Sequence, residues 1–344
     1  MNSETPMSTD CQVLPTSTQD SSDVAVREAV RLLRAGQIVA LPTETVYGLA
    51  GNAFSAKAVE RIFAAKGRPS HNPIIVHVAN LEMARTCVSH WPPLAERLAA
   101  AFWPGPLSLV LPRSSLIPDI VTAGGSTVGL RWPRHPVMEA VIRGCGFPLA
   151  APSANLSGQI SPTTAEHVRK SFGGKLRLVI DGGAAPIGIE STVLDLTAAP
   201  PRILRPGMIH AESLASVAGE LDFGPARGGG HLRSPGLLEK HYAPKARLAV
   251  WSWSDDAGLK SQIASLKFEI RRAHVIAHTN IPSDAGYGQI CVLPRNSEAF
   301  ASALYAEWHK ADEAGAELIV VEKPPAGPEW QAIADRLARA ADQF

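Results

Sequence analysis

The sequence predicts an α/β fold in two parts, and three observations predict it. The chain has 344 residues, more than one hydrophobic core usually fills, so two domains are expected. Short apolar strand-like runs alternate with helix-like stretches along most of its length. Between residues 223 and 246 that texture gives way to a stretch rich in Gly and Pro, GPARGGGHLRSPGLLEKHYAPKA, the composition of a long connector. A first domain over residues 24–210 with a mixed sheet flanked by helices, a linker over 211–246 and a second domain over 247–344 are therefore expected.

The elements follow in order. Residues 1–23 carry four acidic side chains, no Lys or Arg, and many Ser and Thr. This is neither a secretory signal nor a transit peptide, and it reads as a disordered leader on a cytoplasmic protein. Residues 24–35 are helical and stopped by Gly36, and QIVAL is a strand. Ser55 is a plausible N-cap for a helix over 56–66 that Gly67 ends. PIIVHV at 73–78 reads as a strand, 94–102 as a helix, and LSLVLP, STVGLRWP and FPLAAPSA as strands with a helix over 137–144 before the last. A helix over 164–172 precedes the strands RLVIDGG, STVLDL and PRILRP. After the connector, RLAVWSW, AHVIAH, QICVL and AELIVVE are strands, and 297–311 and 329–341 are helical.

Composition narrows the function. Apolar residues make up 45% and charged residues 19%, ample for packed cores, and no run approaches the length of a membrane span. The four cysteines, Cys11, Cys87, Cys145 and Cys291, form no CxxC pair, which argues against a disulfide framework or a zinc site and fits a reducing compartment. Residues 24–210 carry 19 Lys and Arg against 11 Asp and Glu, whereas 211–344 carry 14 against 17. Anion binding is therefore expected in the first domain, with polyphosphate and nucleic acid both open.

No P-loop, GxGxxG, GxSxG or HExxH motif is present, so a nucleotide site must be of another kind. KGRPSHNPIIVH, residues 66–77, offers Lys66, Arg68, Ser70, Asn72 and His77 between a helix end and a strand. Cations with short polar donors in a proline-restricted turn suit a polyphosphate; a basic turn capping a helix is the competing explanation. LPTETVYGLAG places Thr43, Glu44, Thr45 and Tyr47 at a strand end, where open α/β sheets bind ligands, or it is a plain edge strand. APSANLSGQISPTT holds Ser153, Asn155, Ser157 and Ser161 among small residues, GGAAPIGIESTV adds Ser191 and Thr192, and ILRPG adds Arg205. An ordinary polar loop and a surface arginine would account for these equally.

Taken together and in this order, PTETVYGL, KGRPSHNPIIVH, TVGLRWP, APSANLSG, GGAAPIGIESTV and ILRPG resemble the YrdC-type family, in its two-domain threonylcarbamoyl-AMP synthase form. SPG and KHYAP (residues 234–244) resemble the linker of that form, and the remainder resembles its small Rossmann-like accessory domain by layout. The resemblance implies a YrdC-like domain with a twisted mixed sheet. It also implies a reaction, in which L-threonine, bicarbonate and ATP give threonylcarbamoyl-AMP and pyrophosphate for threonylcarbamoyladenosine modification of tRNA. By the same resemblance, Thr45, His77, Arg131, Ala151 and Ser191 would contact threonine. Arg68, Asn72, Thr127, Ser153, Ser161, Arg205 and Tyr242 would contact ATP, with Lys66 and Arg68 neutralising phosphate charge. Mg²⁺ is expected with ATP but without a protein metal site. Downstream threonylcarbamoyl-transfer proteins are the implied partners, and no membrane is. Tyr242 in the linker suggests a lid that excludes water from a labile adenylate. Ala50 and Ala246 depart from residues common in the family, which touches loop geometry and no ligand position.

Two other readings compete. An RNA-binding module would use the basic first domain, although no RNP-type aromatic motif or arginine-rich tract accompanies it. A carbamoyl-transfer domain of a hydrogenase-maturation protein would bring zinc-finger or acylphosphatase-like segments, which this sequence lacks.

Overall fold

Fifteen strands divide between two sheets in the computed structural model, which describes residues 11–224, 242–283 and 286–342. The larger sheet is built from β1 (Gln12–Pro15), β2 (Val39–Leu41), β3 (Gly48–Asn52), β4 (Val76–His77), β5 (Leu107–Pro112), β6 (Thr127–Arg131), β7 (Leu149–Ala150), β8 (Leu178–Asp181), β9 (Thr192–Asp195), β10 (Arg202–Arg205) and β11 (Asp222–Phe223). Their order is β1-β8-β2-β3-β7-β4-β6-β5-β9-β10-β11, with parallel and antiparallel neighbours mixed. The smaller sheet, β12 (Arg247–Trp251), β13 (Ala273–Ala277), β14 (Gln289–Val292) and β15 (Leu318–Glu322), runs β12-β15-β13-β14 and is parallel throughout. Its central strands β13 and β15 are buried along their whole length, as helices on both faces require. The mixed α/β class holds, in two parts.

The helix Ala56–Lys66 has the ends its sequence dictates: Ser55 caps the N-terminus, and Gly67 takes a left-handed φ of 58° at the C-terminus. Other expectations need correction. The leader is not disordered as far as residue 23. From Gln12 the chain forms β1, paired parallel to β8, and a helix starts at Gln19 behind a Thr18 capping box. Its first turn is polar and exposed, so hydrophobic periodicity begins a turn late. Residues 1–10 lie outside the described residues. Nor is 211–246 all linker. Ala211–Ala218 is a helix whose Leu214 joins the main core, and β11 pairs with β10. The SPG segment lies outside the described residues, whereas Tyr242 lies within them. PIIVHV shortens to the two residues of β4, because Pro73 has no N–H and Ile74 bonds Val121 instead of a strand.

The two parts share apolar packing. One buried cluster joins Val46, Ile160 and Ile189 to Phe300, Leu304, Trp308, Ile333 and Leu337. Gly188, at φ 79°, lies so close to the helix Ser297–Glu313 that a Cβ there would stand 2.6 Å from the Ala301 carbonyl oxygen. Only glycine allows that approach.

Candidate active site

The β2–β3 connection, β4, β6 and the loop after β7 converge on one cavity. Thr45, Arg68, His77, Arg131, Ala151, Ser153, Ser191, Arg205 and Tyr242 all line it, so nine of the residues singled out from the sequence come together. The β2–β3 loop is rigid by its own hydrogen bonds. The Thr43 hydroxyl donates to the Val46 carbonyl (2.7 Å) and accepts from the Thr45 N–H (3.1 Å), an ST-turn that needs a short hydroxyl side chain.

Parallel pairing of β4 with β6 sets His77 opposite Arg131. Arg131 donates to the Thr45 hydroxyl at 2.8 Å and forms a buried ion pair with Glu44 at 2.7 Å. The Arg134 N–H donates to the other Glu44 oxygen at 3.0 Å. Burial alone would raise the Glu44 carboxyl, but Arg131 and the Arg134 N–H outweigh it and hold the carboxyl below its ordinary range. His77 is buried, and burial reinforced by the Arg131 charge pushes its pKa down to about 3. The ring is therefore neutral at ordinary pH.

Arg68 is held by the backbone of its own turn, donating to the carbonyls of Asn72 (3.0 Å) and Pro73 (2.6 Å). Burial lowers it to about 10, which leaves it charged. Arg205, lining the same cavity, donates to the Ser191 carbonyl (3.1 Å), the Ser191 hydroxyl (3.2 Å) and the Tyr242 hydroxyl (3.3 Å). Tyr242 is buried with φ 64°, a left-handed conformation that a bulky residue adopts only when its surroundings impose it.

Four expected residues lie elsewhere. Lys66 is buried behind the wall, donating to the carbonyls of Ser153 (2.6 Å) and Asn155 and to the Asn155 side-chain oxygen (3.3 Å). With its donors aimed at those oxygens it anchors the 153–155 loop, an engagement that leaves the phosphate-neutralising role expected of it without a geometric counterpart on the cavity wall. Burial, with Arg68 nearby, pushes its pKa well down. The Ser161 hydroxyl donates to Glu190 at 2.6 Å. Asn72 is buried off the cavity wall, with both side-chain amide atoms unpartnered among the described residues. Thr127, at the far end of β6, pairs with Pro112 and faces a narrow neighbouring cleft with Pro73 and Val193. It lies off the cavity wall because β6 is five residues long and Arg131, which lines the cavity, stands at its other end.

Glu190 is the neighbour that motif reading passed over, and Glu44 was named at its strand end without a role. Both lie inside quoted motifs, and a carboxylate among cationic ligands was the available signal. Among the described residues no group of three or more His, Cys, Asp or Glu is placed to hold a metal. Glu190, which lines the cavity, and Glu44, just behind it, are engaged by Arg336 and Arg131, so these carboxylates do not fit a protein-held Mg²⁺. No helix among the described residues is long and apolar enough to cross a membrane.

Comparison with known proteins bears on the family and the fold of the whole chain. A family model described as telomere recombination, the Sua5/YciO/YrdC model, matches residues 31–207, and the threonylcarbamoyl-AMP synthase C-terminal domain model matches residues 209–342. The threonylcarbamoyl-AMP synthase of Pyrococcus abyssi is 40% identical over 92% of this chain and 94% of its own length. That of Bacillus subtilis is 40% identical over 93% and 94%. The crystal structure of P. abyssi Sua5 complexed with L-threonine superposes with a TM-score of 0.87 at 38% identity, covering 96% of each chain. The cavity, the two-part architecture and these full-length relatives lead to one conclusion: the chain belongs to the threonylcarbamoyl-AMP synthase family, in its two-domain form.

Proposed function

We propose that the chain condenses L-threonine, bicarbonate and ATP into L-threonylcarbamoyladenylate and pyrophosphate. The observation that carries this reading is the meeting of three guanidinium groups, Arg68, Arg131 and Arg205, with a neutral His77 on one cavity wall. The amine of threonine and bicarbonate give an N-carboxy species and water. A carboxylate oxygen of that species bonds to the α-phosphorus while the bond to the bridging oxygen breaks, and the electron pair leaves on pyrophosphate. Charge accumulates on phosphoryl oxygens throughout, and fixed guanidiniums stabilise it without moving a proton.

In this scheme Arg131 takes the amino-acid carboxylate, with Thr45, His77, Ala151 and Ser191 around it. Arg68, Ser153, Arg205 and Tyr242 take the nucleotide, with Asn72, Ser161 and Thr127 assigned there by resemblance alone. Mg²⁺ would be carried on the triphosphate and water, since Glu44 and Glu190 are engaged by arginines. The adenylate would pass to downstream threonylcarbamoyl-transfer proteins acting on tRNA, in a cytoplasmic setting. The measurement is pyrophosphate release with ATP and bicarbonate, with and without threonine. Threonine dependence is expected, and Arg68→Ala should raise KM for ATP by about tenfold or more. Release that ignores threonine would defeat the reading.

A further inference from the structure

The second part of the chain reaches the nucleotide side of the cavity through one buried carboxylate. Glu190 lines the cavity and accepts the Ser161 hydroxyl on one oxygen at 2.6 Å. Its other oxygen accepts the Tyr305 hydroxyl (3.1 Å) and Arg336 Nε (2.8 Å). Arg336 also donates to the Glu190 carbonyl at 3.3 Å. Tyr305 and Arg336 are fully buried and stand on the helices Ser297–Glu313 and Gln331–Ala340. The Arg336 guanidinium lies 5.4 Å from the centre of the Tyr242 ring, whose hydroxyl meets Arg205. His309, one turn beyond Tyr305, contacts the Ser161 carbonyl at 3.2 Å.

Holding two domains together does not call for this arrangement. A buried ion pair costs desolvation that well-packed apolar residues would avoid, and an apolar cluster already joins the parts here. The consequence of the pair is electrostatic and local. A bare carboxylate on this wall would repel a polyphosphate and draw Arg205 towards itself. We infer that Arg336, assisted by Tyr305, is a positioning residue for the adenylation reaction. It neutralises and fixes Glu190, so that the Ser161 hydroxyl is oriented and Arg205 faces the triphosphate. Resting on the reading above, this makes the accessory domain a part of the ATP site.

The test uses the full chain and four variants: Arg336→Lys, Arg336→Met, Tyr305→Phe and the charge-balanced pair Arg336→Met with Glu190→Gln. Calorimetry gives separate dissociation constants for ATP and threonine, and threonine-dependent pyrophosphate release gives KM and kcat. Arg336→Met should weaken ATP binding by about tenfold or more and leave threonine binding within about twofold. Arg336→Lys, which keeps the charge and loses the fork, should fall between it and the unmodified chain. The balanced pair should recover ATP binding to within about threefold, because Gln carries no charge to repel phosphate. Tyr305→Phe should shift the ATP constant alone, by about two- to fivefold. If Arg336→Met does not fold, the balanced pair and Tyr305→Phe decide. Equal losses for ATP and threonine, or ATP binding untouched in a folded variant, would overturn the inference. The unmodified chain separates the two claims. If it binds ATP but releases no threonine-dependent pyrophosphate, the reaction reading fails while the binding constants still judge Arg336.

Discussion

Glu44 shows how much one side chain decides here. Its carboxylate and Arg131 are buried together, so removing one charge leaves the other uncompensated, at a cost of about 3 kcal/mol or more. Glu44→Gln should lower stability by that order. Threonine offers Arg131 a replacement carboxylate, so it should raise the melting temperature more in this variant than in the unmodified chain. Thermal melts with and without threonine check this; equal shifts would separate Arg131 from the substrate carboxylate. At this scale the sequence was legible where a residue acts within its own motif. Arg68 is held by carbonyls four and five residues along the chain, and its turn was visible as KGRPSHNP. Arg336 meets Glu190 across 146 residues, and no local pattern encodes such a meeting.

At the scale of elements, capped helices were easy to read and short strands were not. Ser55 and Gly67 bracket their helix as their chemistry demands, whereas β4 and β7 have two residues each, too few for alternation to declare itself. β1 is half hidden by its polar surroundings, and its pairing to β8 is a tertiary fact. The segment that begins at Tyr242 raises a question of its own. Tyr242 is held at φ 64° on the cavity wall, a conformation that costs about 1–3 kcal/mol in a bulky residue. We propose that its ring and hydroxyl complete the nucleotide side of the cavity, beside Arg205. Tyr242→Phe, which keeps the buried ring and removes the hydroxyl that meets Arg205, should then lower kcat/KM for ATP by about two- to fivefold with the melting temperature nearly unchanged. Parallel losses of stability and activity would place the residue's purpose in folding.

The whole molecule carries an acid sensitivity at the seam between its parts. His167 and His309 stack at 3.8 Å. Burial, and then the neighbouring His309, push His167 down to about 4, with Lys170 lowering it further and Glu313 and Glu166 opposing. His309 is lowered too, chiefly by burial, and His77 falls to about 3. A histidine kept neutral in the fold and free to protonate near 6.5 when unfolded makes stability rise with pH between its two pKa values. Stability should therefore be full above about pH 6.5 and fall as the pH drops towards 4, and His167→Gln should flatten that slope. Denaturant unfolding at stepped pH measures it; an unchanged slope would remove His167 as a source. The apolar cluster across the same seam has a consequence for anyone dissecting the chain. Cutting after the first part would lay Val46, Ile160 and Ile189 open to water as one patch, and exposed patches of that kind invite self-association. The catalytic half is thus not a detachable module: a soluble fragment would need a redesigned surface where its companion now sits.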